Sequence, residues 1–254
     1  EQRLDAVAAR FAAAGLAAVV FDYRHFGASE GEPRQLVDIP RQLEDWRAAI
    51  AFARALDGID PERIALWGTS LSGGHVATLT AEDRRLAAAT VQASFADGLA
   101  QLTFFPLMVT LRLMGAGLVD QIRAWFGREP KTVPLAGPPG TTAVLTIPNA
   151  LYDLERITPP NSTWRNAVCA RFALRIGFYR PAKKARNIAC PLLVCVGDGD
   201  LLAPPEPAVR MARDAPRGRL HRYPCDHFGA YLDHFDELVG DQTAFLVRHL
   251  GVAP

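Results

Sequence analysis

Seven consecutive residues, Gly68-Thr69-Ser70-Leu71-Ser72-Gly73-Gly74, set a serine between an apolar run and a helix-like stretch. The run is Ile64-Ala65-Leu66-Trp67, and the stretch extends from His75 to Ala81. A strand that turns sharply into a helix, with serine at the apex and small residues around it, is a nucleophile elbow. The serine backbone is held there in a strained conformation that larger neighbours would obstruct. The turn lifts the Ser70 hydroxyl clear of the sheet. It also puts the Leu71 N–H at a helix N-terminus, where it can bind negative charge. Ser72 stands where the usual Gly-x-Ser-x-Gly pattern has glycine, which weakens the match without blocking the turn. The plain alternative is a structural elbow serine that performs no chemistry.

A serine hydroxyl is a poor nucleophile at neutral pH and needs a base to accept its proton. Two segments offer partners. After the apolar run Pro191 to Val196 comes Gly197-Asp198-Gly199-Asp200-Leu201-Leu202-Ala203-Pro204. After the run ending at Tyr223 comes Pro224-Cys225-Asp226-His227-Phe228. Both follow strands, as Ser70 does, so all three can converge on one sheet edge. Asp198 and Asp200 compete for the role of acid. His221, His234 and His249 compete with His227, but the first lies within a strand and the others in or near the last helix. His75 reads as a helix-start residue, His25 as a loop residue beside the pocket, and Cys225 as a small packing group.

The elements that must position these residues alternate. A helix is expected over residues 4 to 14, a buried strand over Leu16 to Phe21 and a helix over 43 to 56. Strands follow at Arg63 to Trp67, Leu86 to Val91, Pro191 to Val196 and Leu220 to Tyr223, with a closing helix over 235 to 250. Such alternation implies right-handed crossovers and a mostly parallel α/β sheet flanked by helices. Between Asp97 and Arg186 the alternation stops. Helices are expected over 107 to 126 and Trp164 to Phe178, with a Pro/Gly-rich loop at 134 to 140. This predicts a core formed by 1–96 and 187–254, with a helical lid inserted over 97–186. Ligands in such sheets bind outside the strand carboxyl ends, where the insertion emerges. A helical subdomain with only a packing role is the alternative.

The 254 residues are 49% apolar and 22% charged, with net charge +1, which suits one globular domain with a sizeable core. That balance gives no electrostatic reason to expect nucleic acid or an anionic membrane as partner. The longest apolar stretch, Phe104 to Leu111, is interrupted by Pro106 and too short to span a bilayer. Cys169, Cys190, Cys195 and Cys225 show no metal spacing and fit reduced, mostly buried thiols in a cytoplasmic protein, with two disulfides as the alternative. Glu1 is not preceded by an initiator methionine, so the chain is expected to begin downstream of the natural start, where any signal peptide would lie.

Taken together, the chain resembles the α/β-hydrolase superfamily over essentially its whole length. It looks closest to Xaa-Pro dipeptidyl-peptidase-like and dienelactone-hydrolase-like serine hydrolases. The residues that carry the resemblance are Asp22-Tyr23-Arg24-His25-Phe26-Gly27-Ala28-Ser29-Glu30-Gly31-Glu32, Gly68 to Gly74, Asp198 to Pro204 and His227-Phe228. It implies Ser70 as nucleophile, Asp200 as the acid before the Leu-x-x-Pro turn, and His227 as general base. Asp198 is then expected to cap that turn. Leu71 would supply one oxyanion N–H, and losing a donor of this kind costs about 10²–10³-fold in rate. By the same resemblance, Leu16 to Phe21 matches the fourth strand and the elbow strand the fifth. The third lies between them in such sheets, and no residues here supply it. An unpaired gap in a core sheet is costly, so upstream residues, or another segment, are expected to fill it.

The resulting expectation is a serine hydrolase cleaving an ester, thioester or related acyl bond of a small-molecule substrate. Phe104, Phe105 and Met108 of the insertion are expected to line the substrate pocket. No metal or organic cofactor is implied. An Xaa-Pro-type peptidase and a non-catalytic binding protein on the same fold are the alternatives, and oligomeric state, a homodimer included, stays open.

Overall fold

The computed structural model describes residues 3–252, with the side chain of Phe104 also outside the described set. The chain begins with α1 (Leu4–Ala13), α2 (Ile39–Ala55), β1 (Ala65–Thr69), α3 (Ser70–Glu82) and β2 (Ala88–Gln92). It continues through α4 (Gly98–Phe104), α5 (Leu107–Trp125), β3 (Thr132–Val133), α6 (Ala150–Ile157), β4 (Val168–Cys169) and α7 (Ala173–Ile176). The last elements are β5 (Leu192–Gly197), α8 (Pro205–Asp214), β6 (Gly218–Tyr223) and α9 (Phe235–Leu250). These form two compact units. One holds Arg3–Phe21, Leu43–Asp97 and the chain from Arg180 onward, and the other Asp22–Gln42 with Gly98–Tyr179. No helix among the described residues is long and apolar enough to cross a membrane.

The first unit is built on a four-stranded sheet in the order β1-β2-β5-β6, parallel at every pairing. β2 and β5 are buried along their whole length, which is why β5 reads as a continuous apolar run rather than an alternation. Leu66, Val91, Leu192 and Val194 pack with Val76 and Leu79 of α3 and Met211 of α8 in one core. The register sets Thr69 opposite Gln92, Gln92 opposite Cys195, and Cys195 opposite His221. The carboxyl ends of all four strands therefore share one edge.

One expected strand does not form. Residues 16–21 are extended chain without ladder partners, and Val19 and Val20 stand half exposed. A strand exists only through hydrogen bonds to a neighbour. Among the described residues no β-ladder includes this segment and β1 stands at the sheet edge, so no other strand fills the expected gap. The stretch is held instead at its ends, by Leu16 N–H donating to the Phe11 carbonyl (3.1 Å) and by the Phe21 ring meeting Trp46 of α2 edge-on at 5.2 Å.

The second unit corrects two expectations. It contains a small antiparallel sheet, β3 with β4, where helices and a Pro/Gly-rich loop were expected. The helix expected over Trp164 to Phe178 is broken into β4, a 3₁₀ turn at Ala170–Phe172, and α7. The reason is that its amides are taken by distant acceptors. Cys169 N–H donates to the Gln35 carbonyl at 2.8 Å and Ala170 N–H to the Lys131 carbonyl at 2.9 Å. Arg171 N–H donates to the Asp120 carboxylate, also at 2.9 Å. Asp120 is fully buried. It accepts from the Arg171 guanidinium at 2.8 and 3.1 Å and from Lys131 N–H at 2.7 Å as well. A buried carboxylate is tolerated only when so many donors replace its water. α5 buries Val109, Gly117 and Asp120 on one side. Its other side carries Leu107, Leu111, Leu118 and Trp125, all exposed.

Candidate active site

β1 ends at Thr69 and α3 begins at Ser70, with no residue between them. That abrupt junction puts Ser70 at φ 50°, in the left-handed region, which costs a non-glycine residue on the order of 1–3 kcal/mol. The Ser70 carbonyl accepts from Phe95 N–H at 2.9 Å, tying the strained residue to the chain that leaves β2. Crowding explains two of the glycines. A Cβ on Gly68 would lie 2.6 Å from the Ser72 carbonyl oxygen and from Val76 Cγ2, and one on Gly73 would lie 2.8 Å from Ser94 Oγ. The Leu71 amide belongs to the first turn of α3, where N–H groups lack intrahelical acceptors and the helix end is positive.

After β5 and β6 the chain brings an acid and a base together. His227 Nδ1 lies 2.8 Å from Asp200 Oδ2, and the two residues are only 5% and 2% exposed. The other Asp200 oxygen accepts from Leu202 N–H at 2.8 Å and Ala203 N–H at 2.7 Å. Three hydrogen bonds thus fix this carboxylate. Here the structure corrects the role given to Asp198: Asp200 caps the turn, and the Asp198 side chain lies in solvent against Arg222 at 2.7 Å. Asp226 accepts from Phe228 N–H and Gly229 N–H at 3.1 and 2.7 Å, shaping the loop that carries His227.

The other histidines are differently employed. His221 pairs with Asp241 at 3.1 Å and His234 with Glu237 at 3.4 Å, both in partly exposed settings. His249 packs against the Phe245 ring. His75 is fully buried, and burial pushes its pKa down to about 3, so it stays neutral. His25 lies in the second unit, buried, at φ 75°. All four cysteines are free and buried. Burial, with Asp226 and Asp200 nearby, pushes the Cys225 thiol up to about 11, which removes it as a nucleophile at neutral pH. Of the residues expected in the substrate pocket, Phe105 is half-buried and Met108 is 58% exposed. The Phe104 side chain lies outside the described residues.

One neighbour was not foreseen. Tyr231, four residues after His227, is buried, and its hydroxyl meets the hydroxyl of Thr69, the residue before Ser70. Its ring lies 6.5 Å from the His227 ring, centre to centre. Nothing in the spacing of Thr69 and Tyr231 announces the pair, because the fold brings the end of β1 and the 3₁₀ turn after β6 together from distant parts of the chain.

Comparison with known proteins agrees with this fold. The family model described as the alpha/beta hydrolase family matches residues 2–241. The quorum-quenching protein AidA of Acinetobacter baumannii (strain MDR-ZJ06) is 47% identical over 247 residues, covering 97% of this chain and 81% of that protein. The thiohydrolase aneE of Aspergillus aculeatus (strain ATCC 16872 / CBS 172.66 / WB 5094) is 46% identical over 72 residues, 28% of this chain and 23% of its own length. Among solved structures, the alpha/beta hydrolase GrgF from Penicillium sp. sh18 superposes with TM-score 0.80 at 22% identity, covering 98% of this chain and 85% of that one. That likeness speaks to fold alone. A family match over almost all described residues, joined to a relative nearly half identical across the chain, settles the kinship: this chain belongs to the alpha/beta hydrolase family.

Proposed function

We propose that this chain is a serine hydrolase that cleaves an ester, thioester or related acyl bond through Ser70, His227 and Asp200. The observation that carries the reading is the buried 2.8 Å bond between His227 Nδ1 and Asp200, at the same sheet edge as the left-handed Ser70. An ionised carboxylate only accepts, so Nδ1 holds the proton and the Nε2 lone pair is free. Ser70 Oγ attacks the acyl carbonyl carbon while its proton passes to Nε2. The oxyanion is met by the Leu71 N–H. Nε2 then returns the proton to the leaving alcohol or thiol, and an acyl-serine remains. Water attacks it, loses its proton to Nε2, and the acid is released with Ser70 restored. The buried Asp200 stabilises the imidazolium formed in each half.

The name of one relative, a thiohydrolase, supports the acyl-bond class. Four free, buried thiols support work in a reducing compartment such as the cytoplasm. A fluorophosphonate probe tests the chemistry. Wild type is expected to be labelled on Ser70, and labelling to vanish in Ser70→Ala and fall strongly in His227→Ala. A folded wild type that resists the probe overturns the proposal.

Phe105 and Met108 are the described residues proposed to meet the acyl or alcohol group. Met108→Lys is expected to raise KM for octanoyl esters more than for acetyl esters, by about tenfold, the order of a few lost apolar contacts. An unchanged ratio between the two substrates removes Met108 from the pocket.

A further inference from the structure

A chain of polar side chains runs through the core of the sheet unit, where apolar groups alone would suffice for stability. Trp67 Nε1–H donates to Gln242 Oε1 at 2.7 Å. Gln242 Nε2–H donates to Gln92 Oε1 at 2.9 Å. Gln92 in turn hydrogen-bonds the Tyr231 phenol, whose hydroxyl also meets Thr69 Oγ1. Gln92 and Gln242 are almost wholly buried, and Tyr231 is 6% exposed. The members come from β1, β2, α9 and the 3₁₀ turn at Gly229–Tyr231. Such a network is costly unless every group is satisfied, and when satisfied it fixes one geometry.

Its position is what matters. Thr69 is covalently joined to Ser70, and Tyr231 sits on the loop that carries His227. The Asp200 bond fixes one side of the imidazole, Nδ1, and the ring itself packs edge-on against Phe228 at 5.5 Å. On another side lies the tilted Tyr231 ring, 48° from the imidazole plane and 6.5 Å away, centre to centre. Burial is the first cause that pushes the Tyr231 hydroxyl up to about 12, so it remains a protonated donor across the working range.

We propose that Tyr231 is a positioning residue: a strut from the residue before the nucleophile to the loop of the base, setting the approach of His227 Nε2 to Ser70. This rests on the serine-hydrolase reading above. Proton transfer is steep in geometry, and a misplacement of about 1 Å can cost on the order of 10²-fold in rate. Substrate binding has no such dependence. The strut therefore predicts a kcat effect with KM preserved.

The test is Tyr231→Phe, which keeps the ring and removes only the hydroxyl. With a p-nitrophenyl butyrate assay, normalised to the p-nitrophenol burst so that unfolded protein is not counted, kcat is expected to fall about 10- to 30-fold. KM is expected to stay within twofold. Thr69→Val removes the other end and should give the same pattern. The double variant should be no slower than the worse single one, because both break the same link. If either single variant turns over within twofold of wild type per active site, or loses kcat only with a matching rise in KM, the strut is overturned. Wild type that neither hydrolyses the ester nor takes a fluorophosphonate overturns the underlying reading instead, and the strut with it.

Discussion

Ser70→Ala is expected to lower kcat by about 10⁴- to 10⁶-fold, and His227→Ala by a similar factor. The double variant should lose no more than the worse single one. On the proposed mechanism nucleophile and base act as one unit, so once either is gone the other has nothing left to do. What remains should still exceed the uncatalysed rate, because the Leu71 amide and the bound orientation of the substrate survive. Stability offers an independent readout of the same residue. Ser70 is held at φ 50°; alanine keeps that strain, whereas glycine relieves it. Ser70→Gly should therefore melt higher than Ser70→Ala while being equally inactive. An enzyme in which Ser70→Ala retains turnover within tenfold of wild type would use His227 and Asp200 to activate water directly, and the acyl-serine would have to be abandoned.

Much of this arrangement is legible in the residues, for a reason that also explains what is not. The run at β5 announces itself because a strand covered on both faces has no polar side to interrupt it. The elbow announces itself because a left-handed serine under a close helix leaves room only for small neighbours, as the Gly68 and Gly73 distances show. Both signals are local. The misread elements are those decided elsewhere. Residues 16–21 have the composition of a buried strand, but a strand is a ladder shared with a neighbour, and no ladder among the described residues includes them. Residues 164–178 have helical spacing, yet Asp120, Lys131 and Gln35 take the amides of 169 to 171 before a helix can. A local propensity of under 1 kcal/mol per residue cannot compete with satisfying a buried carboxylate. Tyr231 belongs with these cases, since only the folded sheet sets it beside Thr69.

The choice between Asp198 and Asp200 is the place where sequence alone was least decisive and where one substitution has a large expected effect. Asp200→Asn should lower kcat by about 10⁴-fold while leaving the fold intact. The two backbone donors determine how the new amide must lie. Leu202 N–H and Ala203 N–H both need an acceptor, so the asparagine oxygen faces them and its NH₂ faces His227. Nδ1 must then accept rather than donate, which moves the imidazole proton to Nε2. A base presenting N–H to the serine hydroxyl cannot take its proton. KM should change little, since Asp200 is buried away from solvent and reaches the reaction through His227. Asp198→Asn removes only a half-exposed pair with Arg222, worth about 0–1 kcal/mol, and should leave kcat within twofold. Steady-state kinetics on the two variants, with circular dichroism to confirm the fold, decides the matter. The opposite order of effects would assign the acid to Asp198 and require the loop after β5 to rearrange before the serine can react.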